Sequence, residues 1–398
     1  MRYEKQVAKK RKIEQREQKK RQAQTIKRSR LLSIPEYAGV GLHRETGVRS
    51  LTVDRAHADE AFVSQLRYED VYTAQHEVTV LSAHSLPSSA YTLVTPASRM
   101  GNSSLLAISG DISHSSRDQW PRVPVGTASS YYHYAAFPTL VMSTSVWPAR
   151  DPQKVLACTS GGVDNVFISS IATEDQASGA ALKLSIGNDD TVLWDSAISS
   201  MGETAALGGS DRVIHISMEG QILAQLPKAK LSRSVSWLNT STIAASSGNK
   251  LLLWDTRTRD SSSRFSCQSA ITGVRTVPSS NGNQLLLSTN QNISLQDTRM
   301  MHSKPVLDFS ILHEGTQLIF DVNDRDLVAL GHKEGRRNEI RILSLRTGQL
   351  LKTLEAPEAA KMKRPTQLVW REDDRGVEFL QACIGEKIGR WCWNSDDT

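Results

Sequence analysis

The chain has 398 residues, 39% hydrophobic and 23% charged, a balance that suits a globular protein with a sizeable core. No run of about eighteen apolar residues occurs and the N-terminus is too charged for a secretory segment, so we expect no membrane partner and a nuclear or cytoplasmic location. The four cysteines, Cys158, Cys267, Cys383 and Cys392, form no C-x-x-C pair and have no histidine at ligand spacing. We therefore expect no zinc site, no disulfide framework and no cofactor.

The first element in chain order is a basic arm, residues 1–46. Residues 1–30 carry thirteen Lys/Arg against three Glu, a net charge of +10, which leaves 35 basic and 39 acidic residues in the remainder. Lys9, Lys10, Arg11, Lys12, Lys19, Lys20, Arg21, Lys27, Arg28 and Arg30 supply most of that charge. The segment is rich in Lys, Gln, Glu, Arg and Ala and lacks Gly and Pro until Pro35, the composition of an α-helix. Its apolar residues make no continuous stripe, so the helix is expected to be frayed or partner-dependent. It reads as a solvated helix, a nuclear-import signal in "KKRK" (9–12) and "KRSR" (27–30), a contact for RNA phosphates, or a dock for an acidic partner.

From residue 47 onward the sequence predicts an all-β protein. "GVRSLTV" (47–53) reads as a strand and "DRAHADEAFVSQLRY" (54–68) as a short helix. Short strands separated by Ser, Gly, Asn and Asp then recur in groups of four, the signature of a WD40-type β-propeller. A loose unit spans 79–135, and a second runs through 139–147, 154–161, 166–171 and 181–187. In a third, "TVLWDSA" (191–197) is the first strand, so its Trp194-Asp195 is not a repeat signature. Three units in one register follow at 234–267, 271–309 and 315–355, placing Trp254, Gln296 and Leu343 at one position of the third strand. The last unit, 366–393, has three strands and needs a fourth from elsewhere, for which 47–53 is the expected donor. Closing the ring in this way removes the exposed edges. Seven blades over 47–398 result, with six or eight as the alternative counts.

No catalytic constellation stands out. G-x-S-x-G, H-E-x-x-H and the phosphate-loop pattern are all missing, and "SGGVDN" and "GNDD" read as hairpin turns, so we expect no enzyme. His215, on an apolar strand, reads as a core histidine. Tyr131, Tyr132 and Tyr134 read as packing between blades or as loop anchors.

What remains is the end of the third strand. An aspartate there, Asp255 or Asp297, accepts backbone N–H bonds and holds the turn. Strand alternation puts the residue two positions on at the same rim, and that residue is Arg257, Arg299 and, where Ser344 replaces the aspartate, Arg346. Three consecutive blades are thus expected to present a row of guanidinium groups.

"WDTR" (Trp254 to Arg257) resembles the W-D-x-R box of the WD40 receptors associated with cullin-4 ubiquitin ligases, and "QDTR" (296–299) is similar except for its first residue. The likeness is greatest to the factor-four branch of that family, in which a Lys/Arg/Glu-rich helix precedes an irregular propeller. It extends over residues 190–395; Gln296 for tryptophan and the lack of G-H dipeptides between blades are departures. The resemblance implies that Trp254, Asp255, Arg257, Asp297, Arg299 and Arg346 dock the damaged-DNA-binding adaptor of the ligase. The opposite surface would recruit a substrate protein, and residues 25–45 would insert into the adaptor or cap the propeller bottom. The other expectation, from the arm alone, is a WD40 scaffold of a nuclear ribonucleoprotein or ribosome-assembly complex that contacts RNA.

Overall fold

The computed structural model describes residues 27–28, 51–73, 78–85, 91–98, 103–109, 131–147, 153–161, 164–171, 181–187, 191–227, 229, 231–258, 263–290, 292–300, 304–310, 318–334, 337–355, 363–372 and 377–393. They form a seven-bladed β-propeller of antiparallel four-stranded sheets. Blade 1 is Val78–Ser85, Tyr91–Ser98, Ser103–Ser109 and Tyr131–Phe137; blade 2 is Val141–Trp147, Gln153–Thr159, Val166–Ile171 and Leu182–Leu184. Blade 3 is Leu193–Ile198, Thr204–Gly209, Arg212–Ser217 and Ile222–Pro227, with Trp194 on the innermost strand as expected. Blade 4 is Val235–Trp237, Thr242–Ser247, Lys250–Asp255 and Ser263–Ser266; blade 5 is Ile271–Thr276, Gln284–Thr289, Asn292–Asp297 and Leu307–Ser310. Blade 6 is Phe320–Val322, Leu327–Glu334, Arg337–Ser344 and Leu350–Glu355. Blade 7 is Pro365–Glu372, Glu378–Ile384 and Lys387–Trp393, completed by an outer strand from near the N-terminus, Leu66–Thr73.

That last strand corrects the sequence reading. Residues 51–53, placed in the closing strand, instead open a helix, α1 (Leu51–Gln65), and Leu66–Thr73 pairs with Lys387–Trp393. The Ala-rich run without Gly or Pro extends upstream to Leu51 and favours helix over strand. Pairing at 66–73 is fixed by packing: the Tyr68 ring lies 5.0 Å from that of Trp391. A Cβ at Gly389 would come within 2.5 Å of the Tyr68 ring, so glycine leaves the space that the ring fills. On α1, Phe62 and Val63 join Leu66 in the apolar layer between blades 6 and 7, with Leu354, Trp370 and Trp391. Lys352 Nζ donates to Ser64 O and Leu66 O at 2.8 and 3.0 Å, satisfying carbonyl groups where the helix gives way to the strand. Of the arm, Lys27 and Arg28 are extended and add a short edge strand to blade 5 opposite Leu307 and Asp308, where a helix was expected. The rest of the arm lies outside the described residues.

A polar relay runs around the axis: in blades 2, 3, 4, 6 and 7 a side chain on or just before the first strand accepts from the backbone of the next blade. Ser143 Oγ accepts from Ser196 N at 3.1 Å, Asp195 Oδ2 from Val235 N at 3.1 Å, and Ser234 Oγ from Val274 N at 3.0 Å. Beyond blade 6, Asp321 Oδ2 accepts from Trp370 N at 2.8 Å and Gln367 Oε1 from Ala83 N at 2.8 Å. Between blades 1 and 2 the Thr95 and Thr144 hydroxyls meet at 3.2 Å. At the junction of blades 5 and 6 the matching position is Gly273, where a Cβ would meet the Phe320 ring at 2.6 Å, so ring packing takes the place of the polar bond. At the seam between blades 7 and 1, Arg371 Nη2 and Gln381 Nε2 both donate to Ala83 O at 2.9 Å. His84 beside them is pushed down to about 3 by burial and by Arg371, which keeps it neutral.

Asp195 is the most heavily used member of the relay. Its Oδ1 accepts from Ser143 Oγ and Ser196 N at 3.2 and 2.9 Å. Its Oδ2 accepts from Ser234 Oγ at 2.8 Å as well as Val235 N, and Arg275 Nη1 lies 3.4 Å away. One carboxylate thereby joins blades 2, 3, 4 and 5. Asp195→Ala is expected to lower the unfolding free energy by about 3 kcal/mol, because several buried donors lose their acceptor together. Chemical denaturation measures this, and a loss below about 0.5 kcal/mol, the size of an ordinary surface change, would contradict it.

Candidate docking face

The turns between first and second strands and those between third and fourth strands lie on one face, called the lower face here. In blades 3 to 6 they are joined by Met218 N→Glu203 O, Thr256 N→Ser241 O, Thr298 N→Asn283 O and Leu345 N→Asp326 O bonds of 2.8–2.9 Å. The three-residue register predicted from sequence holds, since Trp254, Gln296 and Leu343 pair with Ile243, Leu285 and Val328 at matching points of the second strands. Trp254 is fully buried and its Nε1 donates to Thr258 O at 3.1 Å, which ties the third strand's end to the turn beyond it.

Blades 4 and 5 build the same turn. Asp255 Oδ1 accepts from Arg257 N at 3.0 Å, and the carboxylate takes the guanidinium in two bonds, Nε to Oδ1 at 2.9 Å and Nη2 to Oδ2 at 2.6 Å. Asp297 repeats this with Arg299: N to Oδ1 at 2.9 Å, Nε to Oδ1 at 3.0 Å, Nη2 to Oδ2 at 2.7 Å. The side-chain bonds from Arg257 hold Asp255 down to about 2, and Arg299 lowers Asp297 in the same way. Both arginines remain open to solvent, at 75% and 68% exposure. Among the described residues, neither Nη1 takes part in a hydrogen bond or ion pair. Each fork is held in one orientation with an edge left over, so a partner carboxylate or carbonyl would find its donors already placed.

Arg346 departs from the expected row. With Ser344 in place of the aspartate, no carboxylate lies two residues upstream to hold the guanidinium outward. Instead Nε donates to Asp326 Oδ2 at 2.9 Å and Nη1 lies 3.4 Å from Asp59 Oδ2 on α1, leaving Arg346 only 19% exposed. Burial raises the Asp59 carboxyl against the opposing pull of Arg346 and Arg325. Arg325 covers the Phe62 ring at 5.0 Å and pairs with Glu378 at 2.5 Å. The third arginine is therefore an internal clamp for α1. Nothing in the run "HADE" singles out Asp59 as its partner, because the pairing spans 287 residues of chain.

Lys9, Lys10, Arg11, Lys12, Lys19, Lys20, Arg21 and Arg30 lie outside the described residues, as do the proposed adaptor contacts of residues 29–45. His215 sits in the blade 3–4 layer, its ring 5.5 Å from Trp237 and 6.4 Å from Trp254, and burial lowers its pKa. Among the described residues no group of three or more His, Cys, Asp and Glu is placed to hold a metal ion, and no helix is long and apolar enough to cross a membrane. A scan against protein-family models finds no match to the chain, and a search of curated proteins finds none.

Two expectations follow. Asp255 should titrate with a midpoint near 2 by carboxyl NMR and return toward 3.8 in Arg257→Ala. A depressed carboxyl loses its pairing only as pH falls through the folded-state value, so from neutral pH down to about 5 the turn should not change. Arg346→Ala, which leaves Asp59 on α1 without its cation, should cost about 2–4 kcal/mol of stability, whereas Arg257→Ala, at an open surface pair, should leave stability close to that of the wild type. Equal losses in thermal or chemical melts would contradict the distinction between clamp and open fork.

Proposed function

We propose that this protein is a non-catalytic WD40-type receptor subunit of a cullin-4 RING E3 ubiquitin ligase. Arg257 and Arg299 dock its lower face onto the damaged-DNA-binding adaptor protein, and another surface recruits a protein substrate for ubiquitination. The observation that carries this reading is the pair of D-x-R turns in consecutive blades, each presenting a bidentately held, exposed guanidinium on the same face. The "WDTR" match supports it from sequence. Arg346 has no part in the docking, since Asp59 and Asp326 already take it. The protein works in the nucleus, with the "KKRK" and "KRSR" runs as its import signal.

A second reading is favoured by the +10 charge of residues 1–30 against an acidic remainder. In it, the propeller is a scaffold of a nuclear ribonucleoprotein or ribosome-assembly complex, and the arm contacts RNA phosphates.

Affinity purification from nuclear extract separates the two. Wild type should recover the adaptor and cullin-4, and the Arg257→Glu/Arg299→Glu double variant should recover neither while melting at the wild-type temperature. Equal recovery by both proteins overturns the docking reading. RNA binding that falls steeply with salt and vanishes on deletion of residues 1–30 establishes the scaffold reading instead.

A further inference from the structure

The turn between the first two strands of blade 3, Ser199–Glu203, is held by an indole from blade 2, and the strand that leads into it by an indole from blade 4. Trp147 of blade 2 donates Nε1 to Ser200 O at 3.2 Å, and Trp237 of blade 4 donates Nε1 to Ala197 O at 2.9 Å. Ser199 N→Thr204 O and Gly202 N→Ser199 O bonds of 2.9 Å close the turn. Gly202 adopts φ +70°, and a Cβ there would lie 2.2 Å from the Trp147 ring, so glycine is needed both for the conformation and for the contact. At the tip is Met201, 60% exposed, and Ile222, 47% exposed, opens the outer strand of the same blade. A turn held in this way has little backbone entropy left to lose on contact, so only the rotamers of the Met201 side chain remain to be ordered.

This knob is continuous with the Arg257 turn. Trp237 packs on His215, His215 on Trp254, and Trp254 Nε1 holds Thr258 O one residue beyond Arg257. The lower face thus has an apolar point on blade 3 and cationic forks on blades 4 and 5. Exposed Met300, next to Arg299, adds a second apolar side chain at the far end. Glu203 and Glu219 border the knob, so an acidic surface would be repelled there although it suits the forks.

We infer that Met201 on its tryptophan-clamped turn is an anchor of the same interface as Arg257 and Arg299, fitting an apolar recess beside the partner's acidic patch. The inference rests on the docking reading above and commits to its partner, the ligase adaptor. Continuity of packing and complementarity of charge on one face are what join the knob to the forks.

The test titrates purified adaptor against the full-length protein by calorimetry. Met201→Asp should weaken binding by roughly tenfold or more, as expected for loss of an apolar anchor. It should do so without shifting the melting temperature, and Met201→Leu should retain wild-type affinity. Leu231→Asn is the control. Leu231 is another exposed apolar residue, on the opposite face, its N bonded to Ser210 O, and its φ of +54° suits asparagine. Its replacement should leave binding unchanged. If Met201→Asp binds as wild type while Arg257→Glu/Arg299→Glu does not bind, the knob is no anchor and the docking reading stands. If Met201→Asp weakens binding and the arginine variant does not, the knob stands and the arginine reading fails. An adaptor that does not bind the wild type overturns both.

Discussion

The polar relay around the axis is the constraint on which the rest of this propeller depends. Each blade can satisfy its own ladder of backbone bonds, but the inner edges face a channel where blade must be fixed to blade. Side chains at one position of the first strands do this by accepting the next blade's N–H, and Asp195 alone reaches four blades. A carboxylate in that position would be costly if its donors were absent, and here five polar groups surround it. Ser143 and Ser234 serve with small hydroxyls that fit between closely packed strands, and Asp321 and Gln367 serve with longer side chains. Where glycine takes the position, the Phe320 ring fills the space instead.

Ring closure depends on two further devices at the chain's ends. The outer strand of blade 7 comes from residues 66–73, and the seam with blade 1 is sealed by Gln367, Gln381 and Arg371 converging on Ala83. Helix α1 leads directly into the closing strand, so its seat on blade 6 governs how that strand arrives. Asp59 on Arg346 and Phe62 beneath Arg325 set the seat, with Lys352 at the helix end. The lower face therefore divides its work. Blade 6 holds the protein's own helix, while blades 4 and 5 leave equivalent arginines open. The two uses of one repeat position differ by a single substitution, serine for aspartate at 344, which removes the local partner and leaves Arg346 to the more distant acids.

Much of this was legible in the sequence. Strand order in blades 2, 4, 5 and 6, and in the inner strands of blades 3 and 7, follows from short β-rich runs broken by turn residues, and the 42- and 47-residue spacing of Trp254, Gln296 and Leu343 set the register that the pairing reproduces. The assignment of Trp194-Asp195 to an inner strand came from spacing too. That Asp195 is the centre of the inter-blade bonding did not, because its five partners come from blades 2 to 5 and no local pattern marks them. The Asp255 and Asp297 turns were readable because donor and acceptor lie two residues apart.

By itself, then, the sequence determined what depends on near neighbours: strand and turn, repeat length, the D-x-R turns, and the separation of a basic arm from an acidic body. Tertiary structure decided whatever depends on residues far apart in the chain. It chose 66–73 over 47–53 as the closing strand, since only there does a tyrosine meet Gly389 and Trp391. It made a clamp of Arg346, which was expected in an open row, and it brought Trp147 onto one turn of blade 3 and Trp237 onto the strand that leads into it. Local propensity is a sum over a few residues, whereas these contacts join segments dozens to hundreds of residues apart, and only the closed ring makes them neighbours.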